Sequence, residues 1–360
     1  MKRTIATHPV FRLLSGLPLT LIGLCLLMAQ VIWGTLYQAG HGLFQAKTKI
    51  FAAWVYWLAE FIPLPGMRTV AALLFINLLA AVMFRIRHDW SRAGLLLIHY
   101  GLMMLLAGSV FAFPPIQESF LTLKEGEKSN LSLAYHQWEL AGWRERDGGN
   151  RVMTMDAERL RPGQNVEWPL LKMAIRVQRC WVNCRRSGGK LEPMTAMDDP
   201  EENLPGGDFL VFSATGQENE PIPVSVFAGQ AEPLAFDVKG SRFFLVLRLK
   251  HHVLPVTVKL LDFKRTTYPG SMIPRSFQSL VEVESGAGRF QALIAMNRPL
   301  RVKGYTFYQS AYSEDVSGAE SSTLAVVRNP AGMLPYAATL LMFLGLVVHF
   351  FPRQGFRGRR

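Results

Sequence analysis

Four long apolar runs bordered by arginines and lysines limit the fold of this chain more than any other feature of the sequence. Leu17 to Leu36 and Ala93 to Phe113 can cross a hydrocarbon layer of ~30 Å at ~1.5 Å per residue, and their ionisable side chains are confined to Cys25, His99 and Tyr100. About Thr69 to Phe84 is shorter, with Asn77 at its middle and apolar residues leading into it. Leu334 to Phe351 holds no Asp, Glu, Lys or Arg. The chain reads as a membrane protein with four transmembrane α-helices, a buried soluble helix being the competing reading of each run.

The formal net charge of +12 would suit a nucleic-acid binder, so its location matters. Residues 1–113 and 334–360 hold 13 Lys and Arg against 2 acids, Glu60 and Asp89, whereas residues 114–333 hold 26 against 25. The excess sits on the hydrophobic parts, where a nucleic-acid-binding domain would show the opposite, and nucleic acid is excluded as a partner. Lys2, Arg3 and Arg12 precede the first run, Arg85, Arg87 and Arg92 lie between the second and third, and Arg353, Arg357, Arg359 and Arg360 follow the fourth. By the positive-inside rule both termini and the 85–92 loop are cytoplasmic, and the 37–68 loop and the 114–333 region lie outside a multi-pass cytoplasmic (inner) membrane. The first run has no small-x-small cleavage pattern and more runs follow it, so it reads as an uncleaved anchor. Ile50 to Ile62, with Trp54, Tyr56, Trp57 and Glu60 before Pro63 and Pro65, is too short to span and reads as an interfacial or re-entrant helix.

Between Pro114 and Met333 the periodicity changes. Phe243 to Leu249, Val256 to Phe263, Ser279 to Val283 and Thr323 to Val327 are short, rich in β-branched and aromatic residues, and mostly bounded by turn formers, as expected of a large, mainly β extracytoplasmic domain. Residues 187–208 read as a long or partly disordered loop. Cys180 and Cys184 are four apart, which on a strand separates their Cα atoms by roughly 13 Å, so a disulfide requires the chain to turn between them. Disulfide and free thiols both remain open.

Soluble-enzyme motifs are missing: no Walker loop, no H-E-x-x-H, no G-x-S-x-G and no dinucleotide fingerprint. Among the histidines at 8, 41, 88, 99, 136, 251, 252 and 349, only His99 lies well inside an apolar run, and an ionisable group at that depth is a functional candidate by default. A neutral imidazole can ligate iron, and it can equally hydrogen-bond a polar neighbour such as Asn77. His349 reads as an interfacial residue. His251 and His252 point to opposite faces of a strand and make a poor metal pair.

The order of three spans, a large outer β-rich domain and a last span resembles the ResB (CcsB) family of c-type cytochrome biogenesis. Gly34-Thr35 with Gln38, the LLLIHYGLMMLLAGSVF run around His99, and Leu121 to Glu127 add local matches; the most specific is Met296-Asn297-Arg298-Pro299-Leu300 followed by Gly304 to Tyr312. From its pattern alone that late motif predicts a turn bounded by Pro299 and Gly304 and a strand with Tyr305, Phe307 and Gln309 on one face. The resemblance implies that His99 supplies one axial ligand to haem b in the membrane, the other coming from a ResC/CcsA-like membrane partner. It also implies apocytochrome c as client and a thiol-reducing thioredoxin-like protein as a further partner, besides membrane lipid.

The expected division is 1–113 with three spans, 114–333 as the β-rich domain, and 334–360 as last span and basic tail. The expected function is that of a non-autonomous subunit of a cytochrome c synthetase, assisting haem export and attachment, with no catalytic residue of its own. The alternative is a membrane-anchored extracytoplasmic binding or assembly module in which His99 only packs.

Overall fold

A computed structural model describes residues 9–58, 61–110, 116–145, 151–197, 202–213, 220–238, 240–271, 273–286, 288–315 and 318–351. The basic residues of both extreme termini, His8 and Glu60 lie outside them. The chain divides into two compact units, one of residues 1–115 with 329–360 and one of 116–328.

The first unit is built from apolar helices. Helix α1, Pro9–Leu14, turns at Ser15 and Gly16 into α2, Leu17–Ala46, whose Pro18 occupies the first turn, where a missing N–H is harmless. Helix α2 runs ten residues beyond Leu36 because nothing in Tyr37 to His41 stops it; the break falls at Gly42, whose φ of 79° needs a residue without a Cβ. Helices α3, Met67–Phe84, and α4, Ala93–Val110, follow. Three helical stretches, Leu17–Phe51, Met67–Phe84 and Trp90–Val110, are long and apolar enough to cross a membrane. The last run forms α5, Leu334–Phe350, apolar and 17 residues long.

Small residues set the helix contacts. A Cβ at Gly101 of α4 would fall 2.8 Å from Ala338 O, and one at Gly345 of α5 would fall 2.8 Å from Gly94 O. Gly94, Gly101 and Gly108 repeat every seven residues, so they form one seam along which α4 and α5 lie antiparallel with backbones close together.

The expected interfacial helix over Ile50 to Ile62 is replaced by a hairpin. Beyond a helical turn ending at Phe51, strands β1, Val55–Leu58, and β2, Ile62–Pro65, pair from Val55↔Pro65 to Leu58↔Ile62. Pro63 and Pro65 would each break a helix, and Val55, Tyr56 and Trp57 favour extended backbone. A two-stranded ribbon has free edges, which is where proline is tolerated.

The second unit is antiparallel β throughout. Its strands are β3 Gln117–Lys124, β4 Lys128–Arg144, β5 Met153–Asp156, β6 Asn165–Trp168, β7 Met173–Trp181, β8 Cys184–Ser187, β9 Lys190–Pro193, β10 Gly206–Ser213, β11 Ile222–Phe227, β12 Leu234–Val238, β13 Ser241–Thr267, β14 Pro274–Ser285, β15 Gly288–Ala295, β16 Leu300–Val302, β17 Tyr305–Glu314 and β18 Glu320–Arg328. A ten-stranded sheet runs β15-β14-β13-β4-β3-β18-β17-β16, with β12 on β13 and β5 on β4; a four-stranded sheet runs β11-β10-β7-β6. The opening strand β3 pairs with the closing strand β18 from Ser321↔Lys124 to Arg328↔Gln117.

Two cores result. Trp168, Ile175, Val177 and Phe209 of the four-stranded sheet pack on Leu140, Phe243, Leu245 and Leu247 of the large sheet. Leu121, Val258, Leu260, Val281, Ile294, Phe307 and Leu324 fill the other. The segments Phe243 to Leu249 and Val256 to Phe263, read separately in the sequence, are one 27-residue strand, β13, that feeds both cores. Pro255 sits where the pairing of β13 with β4 skips between Val253 and Val258, so its missing N–H interrupts no rung of that ladder.

The expected loop over 187–208 also needs correction. Ser187↔Lys190 closes the β8–β9 hairpin around Gly188 and Gly189, both at positive φ, and β10 begins at Gly206; residues 198–201 lie outside the described residues. The Gly-Gly pair is a tight-turn signal rather than a disorder signal. Cys180 and Cys184 are both free thiols, and burial pushes each above the ordinary thiol range.

Candidate functional site

His99 occupies the second turn of α4, half-buried, and its position follows from the helix itself. Ile98 and Gly101 belong to the seam against α5, and at about 100° per residue His99 is turned to one side of that seam. Its Nδ1 lies 2.7 Å from the carbonyl oxygen of Leu95, one turn earlier. A carbonyl oxygen only accepts, so this contact requires the proton on Nδ1 and leaves the Nε2 lone pair outward. That is the tautomer and the fixed ring orientation that an iron ligand needs.

The competing partner is used elsewhere. Asn77 of α3 accepts from Thr20 Oγ1 at 2.7 Å and donates through Nδ2 to Leu14 O at 2.6 Å and Gly16 O at 3.1 Å. Asn77 thereby ties α3 to the α1–α2 corner, where it satisfies carbonyls that the corner takes out of helical pairing. Arg85 adds a bond to Ser15 O at 2.8 Å. The expected His99–Asn77 alternative is not the arrangement found.

The other histidines are dispersed. His349 is at the last turn of α5, edge-on to Phe350, and a Cβ at Gly94 would lie 2.7 Å from its Cα, so it sits at the same end of the helix pair as His99. His41 stacks on Tyr37 with ring centroids 4.0 Å apart and gives Nδ1–H to Tyr37 O at 3.2 Å, repeating the His99 tautomer just before the Gly42 break. His88 is exposed. His251 and His252 lie side by side on β13, both half-buried, and burial holds each below the ordinary imidazole range. No cluster of three His, Cys, Asp or Glu suited to a metal ion occurs among the described residues. Among the described residues, His99 offers a haem one imidazole nitrogen from the apolar helices.

In the second unit a mostly apolar cavity of about 380 Å³ opens between the two sheets. Trp138, Trp181 and Phe209 line it together with His136, Cys180 and Arg161.

The late sequence motif turns out to be architectural. Lys303 and Gly304, at φ 49° and 79°, form the two-residue turn between β16 and β17, with Val302↔Tyr305 closing it. Phe307 is fully buried and Gln309 nearly so, on the same face as Tyr305. Gln309 Oε1 accepts from Ser279 Oγ at 2.7 Å and its Nε2 donates to Ser322 Oγ at 3.0 Å, while the two serines lie 2.7 Å apart. This knot joins β14 to β17 and β18, strands that are not neighbours on one side. Sequence reading missed it; a glutamine in phase with Tyr305 and Phe307 was its only signal. Tyr312 packs on Phe263 and Phe277 and accepts from Arg265 Nη1 at 3.2 Å.

Protein NrfI of Wolinella succinogenes is 31% identical to this chain over 96 residues, which is 26% of this chain and 10% of that protein. The chain thus matches about a tenth of the length of that relative. The model of the ResB-like family matches residues 238–320. This is the stretch from the end of β12 through β17, carrying the Lys303–Gly304 turn and the Gln309 knot, and over it the chain is similar to the ResB-like family.

Proposed function

We propose that this chain is a membrane subunit of a cytochrome c synthetase, and that His99 supplies one axial nitrogen to a haem b held against its apolar helices. The similarity of residues 238–320 to the ResB-like family supports cytochrome c biogenesis as the process. The observation that carries the ligand role is the Nδ1–H to Leu95 O bond, which turns Nε2 out with its lone pair. Bound haem supplies an iron centre to be carried and presented. His99 would hold the iron through its imidazole Nε2, and Leu, Ile and Met side chains of α4 would exclude water from the macrocycle. The second ligand comes from a ResC/CcsA-like partner, and the β unit docks that partner and the apocytochrome. A reducing thioredoxin-like protein keeps the client's thiols free.

The same reading makes α5 a fourth span. Its 17 residues rise about 25 Å, and its antiparallel course along α4 from Gly94 to Gly108 supports its crossing the bilayer with α4. Arg85, Arg87 and Arg92 support a cytoplasmic α3–α4 connection and an outer β unit by the positive-inside rule.

Co-purification with the partner is expected to give b-type haem absorbance that His99→Ala abolishes and added imidazole restores. Unchanged absorbance and unchanged cytochrome c maturation in His99→Ala would overturn the ligand role. The second reading, a membrane-anchored binding module, draws on the aromatic cavity of the β unit. It predicts that Trp181→Ala impairs maturation while haem content stays normal.

A further inference from the structure

A second cavity, of about 310 Å³, lies beside the middle of α2, where the β1–β2 hairpin folds back over the helix. Leu26, Gln30 and Trp33 share one helical face and form one wall, and Tyr56, Leu64 and Pro65 form the other. No charged side chain lines it. Its polar atoms are few. The Gln30 amide gives Nε2–H to Pro65 O at 2.6 Å, which fixes its orientation, and its Oε1 is left buried with no hydrogen-bond partner among the described residues. Trp33 donates Nε1–H to the Tyr56 hydroxyl oxygen at 3.1 Å, so that hydroxyl, already an acceptor, keeps its own proton to give.

We propose that this cavity binds the ring of a lipid-soluble hydroquinone, Gln30 Oε1 accepting a ring hydroxyl proton and the Tyr56 hydroxyl donating to a ring oxygen. A buried acceptor without a donor is costly, and a ligand that brings one recovers that cost with a small turn of the amide. An anion or cation would be desolvated with nothing to pair it, which excludes charged ligands. A phosphatidylcholine offers only phosphate and ester oxygens, acceptors that leave Oε1 unserved. The size is that of a small-molecule site, enough for one ring against the Trp33 and Tyr56 faces, and the wall belongs to a helix long enough to span a bilayer, from which an isoprenoid tail can enter. The proposal is one of binding; no electron transfer is attached to it.

The test uses the full chain in phosphatidylcholine nanodiscs, with decylubiquinol kept reduced and decylubiquinone as the form that has no proton to give. Decylubiquinol is expected to bind about 3- to 10-fold more tightly than decylubiquinone, the range of one hydrogen bond. Gln30→Met is expected to remove that preference. Ala29→Trp, which fills the cavity and leaves the hydrogen bonds in place, is expected to weaken both ligands by about 10-fold or more. Equal binding of the two forms to the wild type, a preference that survives Gln30→Met, or displacement of decylubiquinol by equimolar dioleoylglycerol would overturn the proposal.

Discussion

Removing the Gln309 amide leaves the Ser279 and Ser322 hydroxyls with only each other in a buried space. Gln309→Leu is therefore expected to destabilise the β unit by about 1–3 kcal/mol, read from the midpoint of denaturant unfolding. A change under about 0.5 kcal/mol would show that the knot is incidental. Such side chains mark the limit of sequence reading at this scale. His99 was visible because an ionisable group stands out in an apolar run, but its bond to Leu95 O leaves no trace in the sequence, since every residue has a carbonyl. Asn77 was visible as well, and its partner was misjudged because two of its three bonds go to backbone at a helix corner. The role of Gln30 is not legible in the sequence because its partner is a backbone carbonyl, Pro65 O, 35 residues away.

Among the elements, the α4–α5 seam depends on what is missing from its surface. Gly101→Leu would drive a side chain into Ala338 O and Met342, so the two helices must separate by more than a side chain's thickness. The expected result is loss of α4–α5 cross-linking between cysteines introduced at facing positions, with Gly101→Ala intermediate; cross-linking that survives Gly101→Leu would contradict the seam. Helices α3, α4 and α5 were legible to within a few residues because apolar length is a strong signal. The β1–β2 hairpin was not, because an apolar stretch with aromatics fits a strand and an interfacial helix alike, and Pro63 and Pro65 signal a stop in sequence yet sit within a strand. Strand β13 was cut in two at His251 to Pro255 for the same reason: local residues announce a break, while pairing on both sides carries the strand through it.

For the molecule as a whole, charge and periodicity distinguish an apolar part from a β part in the sequence, with expected bounds at 113/114 and 333/334; the compact units of the structure meet at 115/116 and 328/329. The sequence could not show that the β part holds two cores, because that depends on pairings between strands far apart in the chain. The proposed orientation has a direct consequence for labelling. In intact cells a membrane-impermeant maleimide is expected to modify Thr267→Cys and to spare Ser91→Cys in a background without native cysteines, both positions being exposed. The reverse pattern would invert the topology drawn from Arg85, Arg87 and Arg92.

The pairing of β3 with β18 bears on how such a chain is made. The strand that opens the β unit finds its partner only some 200 residues later, Thr122 meeting Thr323 across the ladder. A ribosome adding about 5–20 residues per second would leave that edge waiting for at least ten seconds or so. During synthesis helices α2 to α4 would already be anchored while the sheet beside β3 stayed open to any other strand. A cell making this protein therefore has reason to shield the Gln117–Lys124 edge, and the chain becomes self-protecting only when its last strand has emerged.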